Sequence, residues 1–325
     1  MDRDFGRRRT NPRRVRNERK VVALFAVVVV SAIVVIAWTN SSIFARETEA
    51  TFVDSAFGTV TIQNDGGQTT ASSLEDFDTP VQLSTLDDTG MLELVNRNHA
   101  ASVLPLREDM SDAWPDVVVI NQSIGLHPVA LTAVTELLDS GHAADYGPFH
   151  VASGFRDWAT QALLYEQIAD SSLVQPPGHS EHHTGFAIDI VPTLLVQQPA
   201  SLSEQLDGTS DDERWLAENS WRYGLILRYP LGTQDITGIT FEPWHFRYVG
   251  QPHAWYMWYH DLTLEEYLQQ LRASGGYDVT IGKHCYAIRW SAPEDGVIYV
   301  PSDKDFTFSR DNKGGYIIIA RTEAG

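Results

Sequence analysis

Residues 21–38 read VVALFAVVVVSAIVVIAW, a run of 18 residues without a charge. A run of this length is about the minimum that crosses the hydrocarbon core of a bilayer as a helix. Residues 1–20 before it hold nine Lys and Arg against three Asp and Glu. Basic residues flanking a span stay on the cytoplasmic side. The run is longer than the roughly 7–15 apolar residues of a cleaved signal peptide, and TNSSIFAR after it is a poor match to an A-x-A site. The expectation is an uncleaved single-pass membrane anchor, with a basic tail (1–20) in the cytoplasm and the body outside.

The body is acidic. The whole chain carries -19, so the residues after the basic tail carry -25. Such a surface repels the phosphate backbone, which excludes nucleic acid as a partner. The single cysteine, Cys285, permits no intrachain disulfide and no thiolate metal cluster. Its setting, VTIGKHCYAIRW, reads as a strand with a structural cysteine.

Residues 39–90 are polar, with no sustained period of 3.6 or 2, and are expected to form a flexible stalk, with at most a transient strand in TFVDSAFGTVTIQ. From Met91 the texture is globular. MLELVNRNHA alternates as a half-buried strand would. HPVALTAVTELLDSGH has helical spacing and reaches a stop signal at Gly141. PFHVASGF reads as a strand entering a turn, and DWATQALLYEQIAD as a helix capped by Asp157. FAIDIVP alternates again, and DDERWLAENSWRYG is a helix closed by Gly224. LILRYP and ITGITFEPWHFRYV read as strands. LTLEEYLQQLRASGG is an amphipathic helix in which Thr263 and Glu266 have the spacing of a capping box. Residues 276–325 are short strands separated by turns, a small β appendage or an extension of the main sheet. The body therefore reads as α+β, with residues 91–275 as the main domain.

The chemistry concentrates in two segments. GHSEHHTGFAID holds three of the eleven histidines. If FAIDI is a strand, Phe186, Ile188 and Ile190 point to one face, and Ala187 and Asp189 to the other. Gly185 permits a turn that brings the preceding histidines back toward Asp189. The second segment is Glu242-Pro243-Trp244-His245, where proline excludes the interior of a helix. Glu242 and His245 share a site only if the backbone turns or bulges between them. Two imidazoles and a carboxylate leave a fourth zinc position for water, and a carboxylate that is not a ligand can take that water's proton. Glu242 is the candidate base. Spacing alone does not choose among His179, His182 and His183.

The residues that carry these motifs resemble a known family. Ser180-Glu181-His182-His183-Thr184-Gly185-Phe186-Ala187-Ile188-Asp189 is similar to the S-x-H-x-x-G-x-A-x-D motif of the VanY-type D-alanyl-D-alanine carboxypeptidases, zinc peptidases with distant kin in hedgehog and lysostaphin domains. Glu242-Pro243-Trp244-His245 resembles their E-x-W-H motif, and SGFRDWATQ (153–161) their SGYR…Q segment. The resemblance spans roughly residues 91–272. It implies a central antiparallel sheet flanked by helices. It also implies Zn2+ held by His182, Asp189 and His245, with Glu242 as general base and Arg156 stabilising oxyanion charge. Ser180, Gln161 and Ser153 are implied substrate contacts, with Trp244 and Tyr248 as walls. The implied reaction removes the terminal D-Ala from peptidoglycan stem peptides. An L,D-carboxypeptidase acting on tetrapeptide stems and a non-catalytic zinc-containing wall-binding domain are the alternatives. The loop 196–210 is a place for specificity to vary.

Overall fold

The computed structural model describes residues 49–54, 58–63, 77–114, 118–119, 124–168, 172–192, 206–302 and 305–323. The chain divides at Ala50/Thr51 into two units, and the second, Thr51–Gly325, holds every described helix and every described strand after the first. The apolar run 21–38 lies outside the described residues. Among the described residues, no helix is long and apolar enough to cross a membrane.

In chain order the strands are β1 (Glu49–Asp54), β2 (Gly58–Gln63), β3 (Thr79–Gln82), β4 (Val118–Val119), β5 (Phe149–Ser153), β6 (Ala187–Pro192), β7 (Leu225–Leu227), β8 (His245–Tyr248), β9 (Gly276–Ile281), β10 (His284–Ser291), β11 (Val297–Val300), β12 (Phe306–Arg310) and β13 (Tyr316–Glu323). The helices are α1 (Pro128–Ala143), α2 (Trp158–Gln167), α3 (Asp211–Asn219), α4 (Gln234–Thr237), α5 (Gln251–His260) and α6 (Leu264–Ser274). A five-stranded sheet runs β4-β5-β6-β8-β7, antiparallel except for the parallel β4–β5 pair. The C-terminal strands form a sheet of their own, β1-β2-β9-β10-β13-β12, rather than extending the first. Strands β2 and β3, inside the segment expected to be a stalk, pair with β9 and β11. The pairing partners lie some two hundred residues away, which is why no local signal marks them.

Strand β6 follows its alternation. Phe186, Ile188 and Ile190 pack into a core with Val134, Leu137 and Leu138 of α1, while Asp189 faces the other way. Helix α1 starts at Pro128, a proline position that needs no backbone donor. It runs through Gly141 to Ala143 instead of stopping at the glycine. Gly141 is there for packing: an added Cβ would sit 2.6 Å from Phe149 and 2.9 Å from Trp215. Asp157 caps α2 by accepting from the Thr160 amide at 2.7 Å, and Thr263 and Glu266 form the expected capping box on α6.

Two segments differ from expectation. Residues 91–100 form turns, not a strand. Their backbone is held across the molecule, with Leu92 N donating to Ser309 Oγ and Leu94 N to Asp311 O. Leu92 to Asn96 are all buried, so the alternation of residue types did not correspond to two faces. In ITGITFEPWHFRYV only β8 is a strand; Gly238 at φ 77° ends the short α4, and Pro243 lies in the turn that precedes β8. Helix α5, with a wholly buried Trp255 and His253, was not expected from the sequence; Pro252 sits in its first turn.

Gly141→Ala is expected to lower unfolding free energy by about 1–2 kcal/mol, because overpacking against Phe149 and Trp215 outweighs the helix-propensity gain. Urea denaturation of the two proteins measures it.

Candidate metal centre

Three neighbouring strands carry the site in one row. Ser153 of β5 stands opposite Asp189 of β6, which stands opposite His245 of β8. A register irregularity between Val151 and Ser153 shifts β5 beside the site, as bulges commonly do next to functional residues. His182 comes from a short 3-10 turn, Glu181–Thr184, which Gly185 closes at φ 75°. A Cβ at Gly185 would lie 2.4 Å from Met110 Sδ, so both conformation and space require glycine there. Glu242 reaches the site because the chain turns between it and His245, whose amide donates to the Glu242 carbonyl at 3.1 Å. The turn expected around Pro243 is therefore present.

One ligand atom each from His182, Asp189 and His245 lies within 4.8 Å of the others, and all three side chains are buried. His182 Nε2 is 3.5 Å from Asp189 Oδ2, and His245 Nδ1 is 3.1 Å from Asp189 Oδ1. The other nitrogens are occupied. His182 Nδ1 bonds the Gly154 carbonyl at 2.7 Å, and His245 Nε2 faces Glu181 Oε2 at 3.4 Å. Each imidazole is thus oriented by a partner behind it, with its free nitrogen turned to the cluster. Asp189 Oδ1 is buried, and the only group facing it among the described residues is the His245 imidazole nitrogen, off the line of a regular hydrogen bond. A buried carboxylate oxygen left in this state, between two imidazole nitrogens, fits a bound divalent cation of the kind that takes nitrogen and oxygen ligands.

The structure also separates the three clustered histidines. His183 accepts from the Gly178 amide through Nε2 at 2.9 Å and bonds the Arg156 carbonyl through Nδ1 at 2.7 Å, so both its nitrogens serve the loop. His179 bonds the Asn96 carbonyl at 2.8 Å. Only His182 is left for the cluster.

Charge follows from burial and partners. Burial, with Arg156 nearby, pushes His182 down to about 3, so it is neutral and its lone pair is available. Burial works against charge on His245, but Asp189 and Glu181 outweigh it and carry the group up to about 9. A cation binding there displaces that proton, which makes metal binding pH-dependent. Burial pushes Glu242 up to about 8, with His245 and Arg156 opposing and Asp189 adding. Burial would also raise Glu181, but Arg228 and Arg247 hold it well below the usual carboxylate range.

A cleft of about 480 Å³ opens on these groups. Arg156 lines it, with Nη1 donating to Gln161 Oε1 at 2.7 Å and Nη2 to Ser153 Oγ at 3.0 Å. Gln161 is itself fixed through its amide to the Gln175 carbonyl at 2.6 Å. Ser180 and Trp244 line the same cleft, and Trp244 packs on Val191 and Leu206. Tyr248 does not. It lies three residues after His245 on β8, faces the opposite side of the sheet with Phe246, and lines a different cavity. The part of the loop 196–210 up to residue 205 lies outside the described residues.

Sequence reasoning missed the buried support beneath the site. Arg228 Nε donates to Glu181 Oε1 at 2.8 Å, and its two Nη atoms form a fork on Glu265 at 2.9 and 2.7 Å. Arg247 Nη1 is 3.3 Å from the same Glu181 oxygen. Tyr229, also missed, lines the cleft with its ring 4.9 Å from that of His245. Glu181 stands beside His182 inside the motif, and its charge in a segment that folds inward was the one available signal.

This combination of an α+β scaffold and a buried His-Asp-His cluster beside a carboxylate defines a metallopeptidase-like centre. The family model VanY: D-alanyl-D-alanine carboxypeptidase matches residues 123–251. A D-alanyl-D-alanine carboxypeptidase of Enterococcus faecium is 31% identical over 185 residues, covering 57% of this chain and 57% of that protein. The bifunctional D-Ala-D-Ala dipeptidase and D-Ala-D-Ala carboxypeptidase VanXYC of Enterococcus gallinarum is 33% identical, covering 54% of this chain and 92% of that one. The solved structure of the vancomycin-resistance D,D-dipeptidase VanXYg, with a D-Ala-D-Ala phosphinate analogue, shares the fold at TM-score 0.58 and 23% identity, covering 75% of this chain and 98% of that one. The chain belongs to the VanY family of D-alanyl-D-alanine carboxypeptidases. It spans somewhat more than half the length of the Enterococcus faecium relative.

Glu181→Gln is expected to weaken divalent-metal binding by about 10–100-fold, because His245 loses its orienting carboxylate. Competition with a chromogenic chelator reads this directly. The same substitution changes acid stability. The folded-state value of Glu181 is depressed, so the stability it contributes is present above its unfolded value of 4.5 and is lost as pH falls through the folded value. Urea denaturation across this range is expected to show a shallower acid fall-off in Glu181→Gln than in the parent.

Proposed function

We propose that the chain is a zinc-dependent D,D-carboxypeptidase that removes the terminal D-Ala from peptidoglycan stem peptides. The observation that carries the reading is the convergence on one cleft of the buried His182, Asp189 and His245 with Glu242 and Arg156. The family relationship supports the substrate class, since the enterococcal relatives act on D-Ala-D-Ala.

In this reading His182, Asp189 and His245 would hold the zinc. Bound there, zinc would supply Lewis acidity toward the scissile carbonyl and would lower the pKa of water from about 15.7 to roughly 7. Glu242 takes the proton from the attacking water and returns it to the leaving amine. Its burial favours proton uptake, and His245 and Arg156 favour its release, so it is placed between the two states. The Arg156 guanidinium, held by Gln161 and Ser153, faces the developing oxyanion with little reorganisation. Ser180 receives the terminal carboxylate of the peptide, and Trp244 walls the cleft. We place the enzyme at the bacterial cell membrane, anchored through residues 21–38 with its catalytic domain outside, on the support of the uncharged run and the basic residues before it.

The full-length chain is to be incubated with pentapeptide and tetrapeptide muropeptides, with and without chelator, and the products weighed by mass spectrometry. The expected result is loss of one alanine from the pentapeptide, abolished by chelator. Glu242→Gln should lower kcat by about 10²–10⁴-fold while keeping its metal content. Loss from neither substrate, or full activity in Glu242→Gln, would sink the assignment; loss from the tetrapeptide alone would make the bond cut an L,D linkage.

A further inference from the structure

Five tyrosines are buried among the described residues: Tyr229, Tyr256, Tyr267, Tyr277 and Tyr286. A buried tyrosine ordinarily finds a partner for its hydroxyl. Tyr256 accepts from Gln270 Nε2 at 2.9 Å, Tyr267 and Tyr277 bond each other at 3.2 Å, and Tyr286 donates to Gln251 Oε1 at 3.4 Å. Tyr229 is the exception. Its hydroxyl bonds none of the described residues, and it is not sealed from solvent. The residue is only 4% exposed, and what it exposes lines the metal cleft. The hydroxyl therefore opens on that cleft, within electrostatic reach of Glu242 and of the Glu181–Arg228 pair.

The residue is held from several sides. Arg228 N donates to the His245 carbonyl at 3.1 Å, and the Glu242 amide donates to the Tyr229 carbonyl at 3.2 Å, so this backbone is pinned to both ends of the Glu242–His245 turn. The ring centroid lies 4.9 Å from that of His245 and 4.9 Å from the Arg228 guanidinium carbon. A donor fixed in this way needs little reorganisation when charge develops beside it. A tyrosine ionises near about 10, so at neutral pH the hydroxyl is an O–H donor. The sheet order sets the direction of approach. Arg156 follows β5 and Tyr229 follows β7, and these strands lie on opposite sides of β6, which carries Asp189. Arg156 enters the cleft from the His182 flank, and Tyr229 from the flank of His245 and Glu242.

We propose that Tyr229 is a second catalytic donor, its hydroxyl bonding the attacking oxygen as the tetrahedral intermediate forms while Arg156 bonds the former carbonyl oxygen. The inference rests on the proposed function. Attack forms a C–O bond from water, moves the carbonyl π pair onto the carbonyl oxygen and passes one water proton to Glu242. Collapse re-forms the carbonyl, breaks the C–N bond and delivers that proton to the amine. The reacting carbon carries one oxygen before attack and two after it, so a donor on each flank serves each oxygen. A contact to the second oxygen belongs to the tetrahedral state and not to the bound peptide, so it raises kcat and leaves substrate binding alone.

Tyr229→Phe removes only the unpartnered hydroxyl, so the ring keeps its place against His245. In the zinc-loaded full-length chain, kcat on a peptide ending in D-Ala-D-Ala is expected to fall about 10²-fold, with KM and zinc content unchanged. Calorimetric titration with a D-Ala-D-Ala phosphinate, whose phosphorus carries two oxygens in a tetrahedral array, reads the same donor without turnover. Phosphinate affinity is expected to fall about tenfold or more in the variant, while affinity for the product tetrapeptide stays within about twofold. Unchanged kcat, a rise in KM with kcat intact, loss of zinc, or equal weakening of phosphinate and tetrapeptide would overturn the proposal. A parent chain that neither hydrolyses the peptide nor binds the phosphinate would overturn the peptidase reading, and this inference with it. Full activity in both parent and Tyr229→Phe would overturn the role of Tyr229 alone.

Discussion

The site depends on a carboxylate buried between two guanidiniums. Glu181 is wholly enclosed and bonded by Arg228, with Arg247 beside it, and it turns its second oxygen to His245. An isolated charge in that position would be strongly disfavoured, and either arginine alone there would be as well. Together they form a network in which each charge has a partner, and Glu265 extends it to helix α6. Asn96 joins the same glutamate at 3.1 Å, so the turn at the start of the domain, the β7–β8 region, the histidine turn and α6 are tied at one point. Removing one member leaves the others unpaired, which costs more than any single bond in the network contributes.

That network explains why the metal cluster is stiff. The imidazole of His245 is held from behind by Glu181, and that of His182 by the Gly154 carbonyl. The Arg156 amide donates to the His182 carbonyl at 3.0 Å, which couples the cationic group to the same turn. Ligands whose rear atoms are already bonded lose little freedom when an ion arrives.

Much of this was legible from local pattern. The alternation in FAIDI placed Asp189 opposite the core because a strand has only two faces. Pro243 required a turn between Glu242 and His245, and the turn is there. The helix caps at Asp157 and Thr263 were readable because a cap is a bond across three residues. Other features were not legible. Leu92 and Leu94 look like part of a strand and lie in a buried turn, because the groups that accept from their amides come from residues 309 and 311. Tyr248 looked like a wall of the cleft because it sits close to His245 in sequence, yet a separation of three residues on a strand reverses its direction.

By itself the sequence determined the type of chemistry, the two segments that supply it, and the α+β character of the domain, since residue type and short-range period carry that information. Spacing left His179, His182 and His183 equivalent as ligand candidates, and the motif resemblance pointed to His182. Only the tertiary structure gave that choice a physical reason: His183 has both ring nitrogens engaged in its own loop, and His179 is turned to Asn96. The tertiary structure alone also joined β2 and β3 to the C-terminal strands and enclosed the cavity that Tyr248 lines. Those outcomes depend on hydrogen bonds and contacts between residues far apart in the chain, which no local period records.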